Sequence, residues 1–187
     1  MLNKEEMGEI TVSSRDFAKH RYLDFAAVIT IGDPGYPQFV IPTESGVKQL
    51  ILEFDDAISL HGNTKLVSEE QLTQAIEFAR EHRDAKLLIH CGAGERRSPA
   101  VAMVIIADRL GKGREEDAIN YVLDTYKDRD LQPNEMVVEI GDHALERDTE
   151  FAWTYYSIKE KRQEEAEAAR KKLMSKPTLV KSKKRFR

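Results

Sequence analysis

Only one cysteine, Cys91, occurs in the 187 residues, so the chain can form no internal disulfide and cannot assemble a CxxC zinc site. That thiol is either a small buried apolar residue or a reactive group, and its neighbours must decide which. Also missing is any run near the roughly 20 consecutive apolar residues of a membrane helix. The start, Met1 to Ile10, is acidic rather than basic and then apolar, so no signal segment is read there. A soluble, cytoplasmic protein is expected. There is no internal repeat, and the length suits one domain with a hydrophobic core plus a tail.

Charge is unevenly spread. From Lys159 to Arg187 there are 12 Lys or Arg against 4 Glu, a balance of +8, so the formal net charge of -4 leaves -12 on the remainder. An acidic body with a basic tail differs from the single basic footprint of a dedicated nucleic-acid-binding domain.

Short apolar runs predict strands at Glu9 to Val12, Ala26 to Ile31, Lys48 to Phe54 and Lys86 to His90. The second ends at Gly32-Asp33-Pro34-Gly35, read as a plain turn, with a place at the border of the cleft as the alternative. The third runs out into Asp55 and Asp56, at the carboxyl end where open α/β sheets hold ligands. Leu72, Ala75, Ile76 and Ala79 recur at helical spacing between Ser68 and His82, with Ser68 and Gln71 as a capping box. Pro99 to Leu110 is apolar nearly all round and reads as a buried central helix, bounded by Gly111. Further helices are predicted over Glu115 to Tyr126 and Asn134 to Glu146. The alternation predicts an α/β fold, with a central, mostly parallel sheet of four to five strands flanked by helices. A long charged helix is expected over 149–175, and a basic disordered tail over 176–187.

The segment His90-Cys91-Gly92-Ala93-Gly94-Glu95-Arg96-Arg97-Ser98 lies between a predicted strand and the predicted buried helix. A strand that turns tightly into a helix leaves backbone N–H groups without partners, and these aim with the positive helix end at one spot, where an anion binds. Gly92 and Gly94 allow the backbone to curl closely, and Arg97 offers a planar fork to two phosphate oxygens. In the same field a thiolate at Cys91 is favoured, which makes it a nucleophile. Ser98 is placed to donate to the sulfur, and His90 to orient the loop from below. Glu95 opposes anion binding unless it points outward or pairs with Arg96.

This segment resembles HCxxGxxR[S/T], the signature of the cysteine-based protein tyrosine phosphatase superfamily, and is most similar to its compact dual-specificity-like branch. Phe54-Asp55-Asp56 upstream and Leu131-Gln132-Pro133-Asn134 downstream agree with it, and the resemblance spans roughly Ala26 to Leu145. It implies a phosphatase domain over 1–148 that works through a phosphocysteine intermediate. Cys91, Arg97, Asp56 and Ser98 would be catalytic. Residues Gly92 to Arg97 would hold the phosphoryl group, that is Gly92, Ala93, Gly94, Glu95, Arg96 and Arg97. His90 would be in support, with Asp55 in reserve for Asp56 as general acid. The resemblance implies neither a metal nor an organic cofactor. Asp55 and Asp56 also read simply as a solvated strand end or a helix cap, and His61, His82 and His143 read as surface or satisfied core residues.

The expected substrate is a phosphorylated protein, at phosphotyrosine with phosphoserine and phosphothreonine in range. The alternatives are the same chemistry on an RNA 5′ phosphate or a phosphoinositide, and a phosphate-binding module with little turnover. Rhodanese-like sulfur transfer would not need an acid at Asp56. The basic tail is a solvated helix with a frayed end, or else a tether for an acidic partner, nucleic acid or an anionic membrane surface.

Overall fold

The structure is a computed structural model and describes residues 8–174. The basic tail expected over 176–187 lies outside the described residues. Four strands, β1 (Ile10–Ser14), β2 (Ala27–Gly32), β3 (Lys48–Glu53) and β4 (Leu87–Cys91), form one sheet in the order β1-β4-β2-β3. Every pairing is parallel. β2 and β4 are buried along their whole length, as the central strands of a parallel sheet covered on both faces must be, which is why they read as unbroken apolar runs. Parallel pairing also gathers all the carboxyl ends on one edge. Ser14 lies opposite Cys91, and Gly32 opposite Glu53.

The helices are α1 (Arg15–Arg21), α2 (Glu69–Glu81), α3 (Arg97–Leu110), α4 (Glu115–Thr125), α5 (Glu135–Ala144) and α6 (Glu150–Met174). Ser68 and Gln71 form the reciprocal capping box at the start of α2. α3 packs against β1, β4, α2, α4 and α5, so nearly every side chain on it is buried. It begins at Arg97, two residues before the expected start, because Pro99 is tolerated anywhere in a first turn whose amides need no intrahelical partner. α1 was not foreseen: its seven residues bury only Ala18, too little for an apolar period to show.

The Asp142 carboxylate accepts from the amides of Thr149, Phe151 and Ala152 at 2.7, 2.8 and 3.1 Å and so caps the start of α6. Phe151 and Tyr155 are the buried residues of that helix. Contacts divide the chain into a unit that ends at Tyr155 and one that begins at Tyr156. The described part of the second is the helical stretch through Met174. Among the described residues no helix is long and apolar enough to cross a membrane.

Candidate active site

The strand-to-helix loop between β4 and α3 stands at the carboxyl edge of the sheet, and the carbonyls of Gly92, Gly94, Glu95 and Arg96 are engaged from outside. Gly92 O accepts from Arg15 N at 3.1 Å, Glu95 O from Gln132 N at 3.0 Å, and Arg96 O from Asn134 N at 3.0 Å. Gly94 O accepts from Arg129 Nη2. A trans peptide points its carbonyl and the next amide in opposite directions, so turning these carbonyls outward turns the amides of Ala93, Glu95, Arg96 and Arg97 inward. Gly94 N donates directly to Cys91 Sγ at 3.2 Å. A ring of N–H groups around a sulfur is a nest for an anion.

Gly94 has φ 78°, and a Cβ there would collide with the Ser13 carbonyl group, so both the conformation and the space call for glycine. Arg129 closes the back of the loop, since its Nη1 also donates to Val12 O at 3.1 Å while its guanidinium stacks 5.3 Å over Tyr126. Tyr126 Oη in turn accepts from Val12 N at 2.7 Å.

Cys91 is 3% exposed, with Ser98 Oγ 3.4 Å from its sulfur. Beneath it His90 is fully buried and meets Thr30 Oγ1 at 2.9 Å. Gln49 donates to that same hydroxyl at 2.7 Å and to Phe39 O at 2.7 Å. Burial pushes the His90 imidazole down to about 4, the Cys91 backbone partly opposing and the Arg15 charge adding to the effect, so the ring is neutral at neutral pH.

Arg97 is buried, and its Nη1 is saturated: it donates to Phe54 O at 2.8 Å and pairs with Asp33 Oδ1 at 2.8 Å. Nε is buried without any hydrogen-bond partner, and Nη2 lies 4.0 Å from where a Cβ on Gly92 would stand. One edge of the fork is thus fixed to the scaffold. The other edge, the parallel Nε–H and Nη2–H pair, matches two oxygens of a bound oxyanion.

The two acids after β3 differ. Asp55 Oδ2 accepts from Lys65 N at 2.7 Å, and Asp55 N donates to Lys65 O at 2.8 Å, so Asp55 staples its own loop. Asp56 instead reaches the strand-to-helix loop, where its carboxylate meets Arg96 Nε at 3.1 Å, and it also accepts from Asn134 Nδ2 at 2.8 Å. Arg96 is therefore paired with Asp56 and not with Glu95, whose side chain is exposed. Asn134 is held in turn by its neighbour: Tyr155 donates to Pro133 O at 3.1 Å, and burial, with Glu135 nearby, pushes the phenol up to about 12, so it stays a donor.

The geometry brings together Cys91, Ser98, Arg97, Asp56, the loop from Gly92 to Arg96 and His90, while Asp55, His61, His82 and His143 serve elsewhere. Sequence reasoning did not single out Asp33, Arg129, Tyr126, Tyr155 or Arg15. For Asp33 a signal existed, since it follows β2 at the carboxyl edge, but the Gly-Asp-Pro-Gly context marks a turn first.

No family model matches the chain, and no curated protein does. Solved structures do. Tk-PTP in its active form is similar with a TM-score of 0.56 and 20% identity, over 74% of this chain and 90% of that one. PTPMT1 in complex with PI(5)P gives 0.54 and 16%, over 74% and 90%. The Yvh1 phosphatase domain from Chaetomium thermophilum gives 0.53 and 16%, over 72% and 88%. The chain thus has the fold of the cysteine-based protein tyrosine and dual-specificity phosphatases.

Proposed function

We propose that the chain hydrolyses phosphomonoesters through a phosphocysteine on Cys91. The observation that carries this reading is the half-used fork of Arg97: its buried Nε has no partner, beside a loop whose amides face the Cys91 sulfur. A buried donor left unpaired is costly, and a phosphoryl oxygen would satisfy it.

In the first step the Cys91 thiolate attacks phosphorus in line, the S–P bond forms and the P–O bond to the alcohol breaks. Asp56 gives its proton to the departing oxygen. In the second step Asp56, now a carboxylate, takes a proton from water as that oxygen attacks phosphorus. The S–P bond breaks, Ser98 donates to the leaving sulfur, and inorganic phosphate departs. The inward amides and the free edge of Arg97 stabilise the equatorial oxygens, where phosphoryl transfer gains most of its acceleration. Asp56 suits the acid role better than Asp55, whose carboxylate is occupied by its own loop.

Phosphotyrosine in a protein is the substrate that the sequence motif implies. PTPMT1 bound to PI(5)P keeps a phosphoinositide in view as the second reading. The catalytic domain in this account is the region 1–148, supplemented by the first turns of α6, whose Tyr155 bonds Pro133 O.

The test is turnover of para-nitrophenyl phosphate by the wild type, Cys91→Ser and Asp56→Asn, with chelator present. Wild-type turnover that persists in chelator and vanishes with the sulfur is expected. Activity surviving Cys91→Ser would sink the mechanism, and phosphate binding without turnover would reduce the chain to a binding module.

A further inference from the structure

Three of the four arginines around the loop are held by the protein: Arg96 by Asp56, Arg97 by Asp33 and Phe54 O, Arg129 by the carbonyls of Val12 and Gly94. Arg15 is the exception. Its Nε is buried without a hydrogen bond, and among the described residues no group pairs with its guanidinium. The side chain is only half buried, so its terminal nitrogens meet solvent.

The position of that cation follows from the fold. Ala18 and Tyr22 of the α1 segment pack with Val28 and Leu88 on one face of the sheet. Arg15, three residues before Ala18, lies on the same helix face. Two residues along their strands from Val28 and Leu88, and so on the same sheet face, are Thr30 and His90. α1 leaves the carboxyl end of β1, so Arg15 stands at the top of this face, over His90 and beside the loop. One contact agrees: Arg15 N donates to Gly92 O at 3.1 Å, and the Arg15 charge would then add to the downward push on the His90 imidazole. The rim next to it, Gly92 and Ala93, is exposed.

We infer that Arg15 binds a second phosphoryl group of the substrate, so that the preferred substrate carries two phosphoryl groups close together on one small scaffold. This rests on the phosphatase reading above for the first phosphoryl group. An unpaired, solvent-reachable guanidinium beside an anion nest, in a body of net negative charge, is free to take its counter-charge from the ligand. The backbone of Arg15 bonds Gly92 O, so an anion held by its side chain would lie within one arginine's length of the loop. A bisphosphorylated polyol meets that requirement. A carboxylate flanking a phosphotyrosine does not, since the phenol ring and the peptide backbone stand between it and the scissile group. A free bisphosphate and a lipid headgroup with one diester and one monoester present the same chemistry.

Equilibrium binding to the full-length Cys91→Ser protein, with and without Arg15→Ala, tests this apart from turnover. The probes are phenyl phosphate, inositol 1,4-bisphosphate, phosphatidylcholine vesicles carrying phosphatidylinositol 4-phosphate, and a phosphotyrosine peptide with acidic neighbours. Arg15→Ala is expected to weaken inositol bisphosphate or the vesicle roughly tenfold more than phenyl phosphate, the scale of one charge-assisted contact. Arg15→Lys should recover part of the difference. A difference with the soluble probe assigns the second group to a free bisphosphate, and one with vesicles alone to a headgroup. Equal weakening of all probes, or a loss confined to the acidic peptide, overturns the inference. If wild-type protein hydrolyses para-nitrophenyl phosphate and no difference appears, the inference falls while the phosphatase reading stands. If there is no hydrolysis but the difference appears, the converse holds.

Discussion

Asp33 Oδ1 and Arg97 Nη1 meet at 2.8 Å, one residue past the end of β2 and at the first position of α3. Arg97 is almost wholly buried while Asp33 is 43% exposed, so the pair fixes a buried fork from a solvent-facing anchor. Asp33 makes no hydrogen bond to the sulfur. It is a positioning residue, setting which edge of the fork faces the nest.

Asp33→Ala frees the second Nη1 hydrogen and lets the fork turn. The expected result is a fall in kcat/KM for para-nitrophenyl phosphate of roughly tenfold to a hundredfold, the scale of losing orientation at a reacting centre. Asp33→Asn keeps an acceptor oxygen and should lose less. Steady-state kinetics of the two variants check the order, and equal losses would count against positioning by hydrogen bonding.

Asp56→Asn should cost about a hundredfold or more on phenyl phosphate, whose leaving group needs a proton, and markedly less on para-nitrophenyl phosphate. Tyr155→Phe removes the donor to Pro133 O and should move activity in the same direction by a smaller factor, at about 1–3 kcal/mol of stability for the carbonyl left behind. The double variant should lose less than the product of the singles, because both act through Asn134 and Asp56. Rate ratios between the two substrates measure this, and full additivity would separate Tyr155 from the acid.

Gly94→Ala is expected to lower hydrolysis at least about a hundredfold and stability by about 1–3 kcal/mol, because the residue has φ 78° and faces the Ser13 carbonyl. Kinetics and thermal unfolding of the variant provide the check, and a wild-type rate would mean the loop tolerates another curl.

The fold prefers neutral His90, whose imidazole is pushed from the usual 6.5 to about 4. A depressed value in the native state means the contribution is complete above pH 6.5 and is lost as pH falls toward 4. By pH 5 the wild type should have lost about 2 kcal/mol relative to pH 7.5 from this residue. Urea unfolding of wild type and His90→Asn at both pH values gives the difference, which the variant should not show.

What was legible in the sequence was contiguous. The loop from His90 to Ser98 announces itself because one strand-to-helix turn carries its sulfur, amides and arginine, and β2, β4 and α3 because burial on both faces leaves unbroken apolar runs. The supports were hidden for a physical reason. Arg129 reaches Val12 across 117 positions and Tyr155 reaches Pro133 across 22, and both bond to backbone carbonyls, which any residue supplies. Such contacts leave no side-chain pattern to read. Asp33 becomes visible as a site residue only once parallel pairing has set Gly32 beside Glu53.

The outward carbonyls of the loop have a consequence for biosynthesis. Of their donors Arg15 precedes Cys91, but Arg129, Gln132 and Asn134 lie about 40 positions after it, so the cradle is completed by residues that leave the ribosome later than the thiol itself. A nascent chain halted just before Gln132 would carry the Cys91 loop without two of the clasps that turn its carbonyls outward.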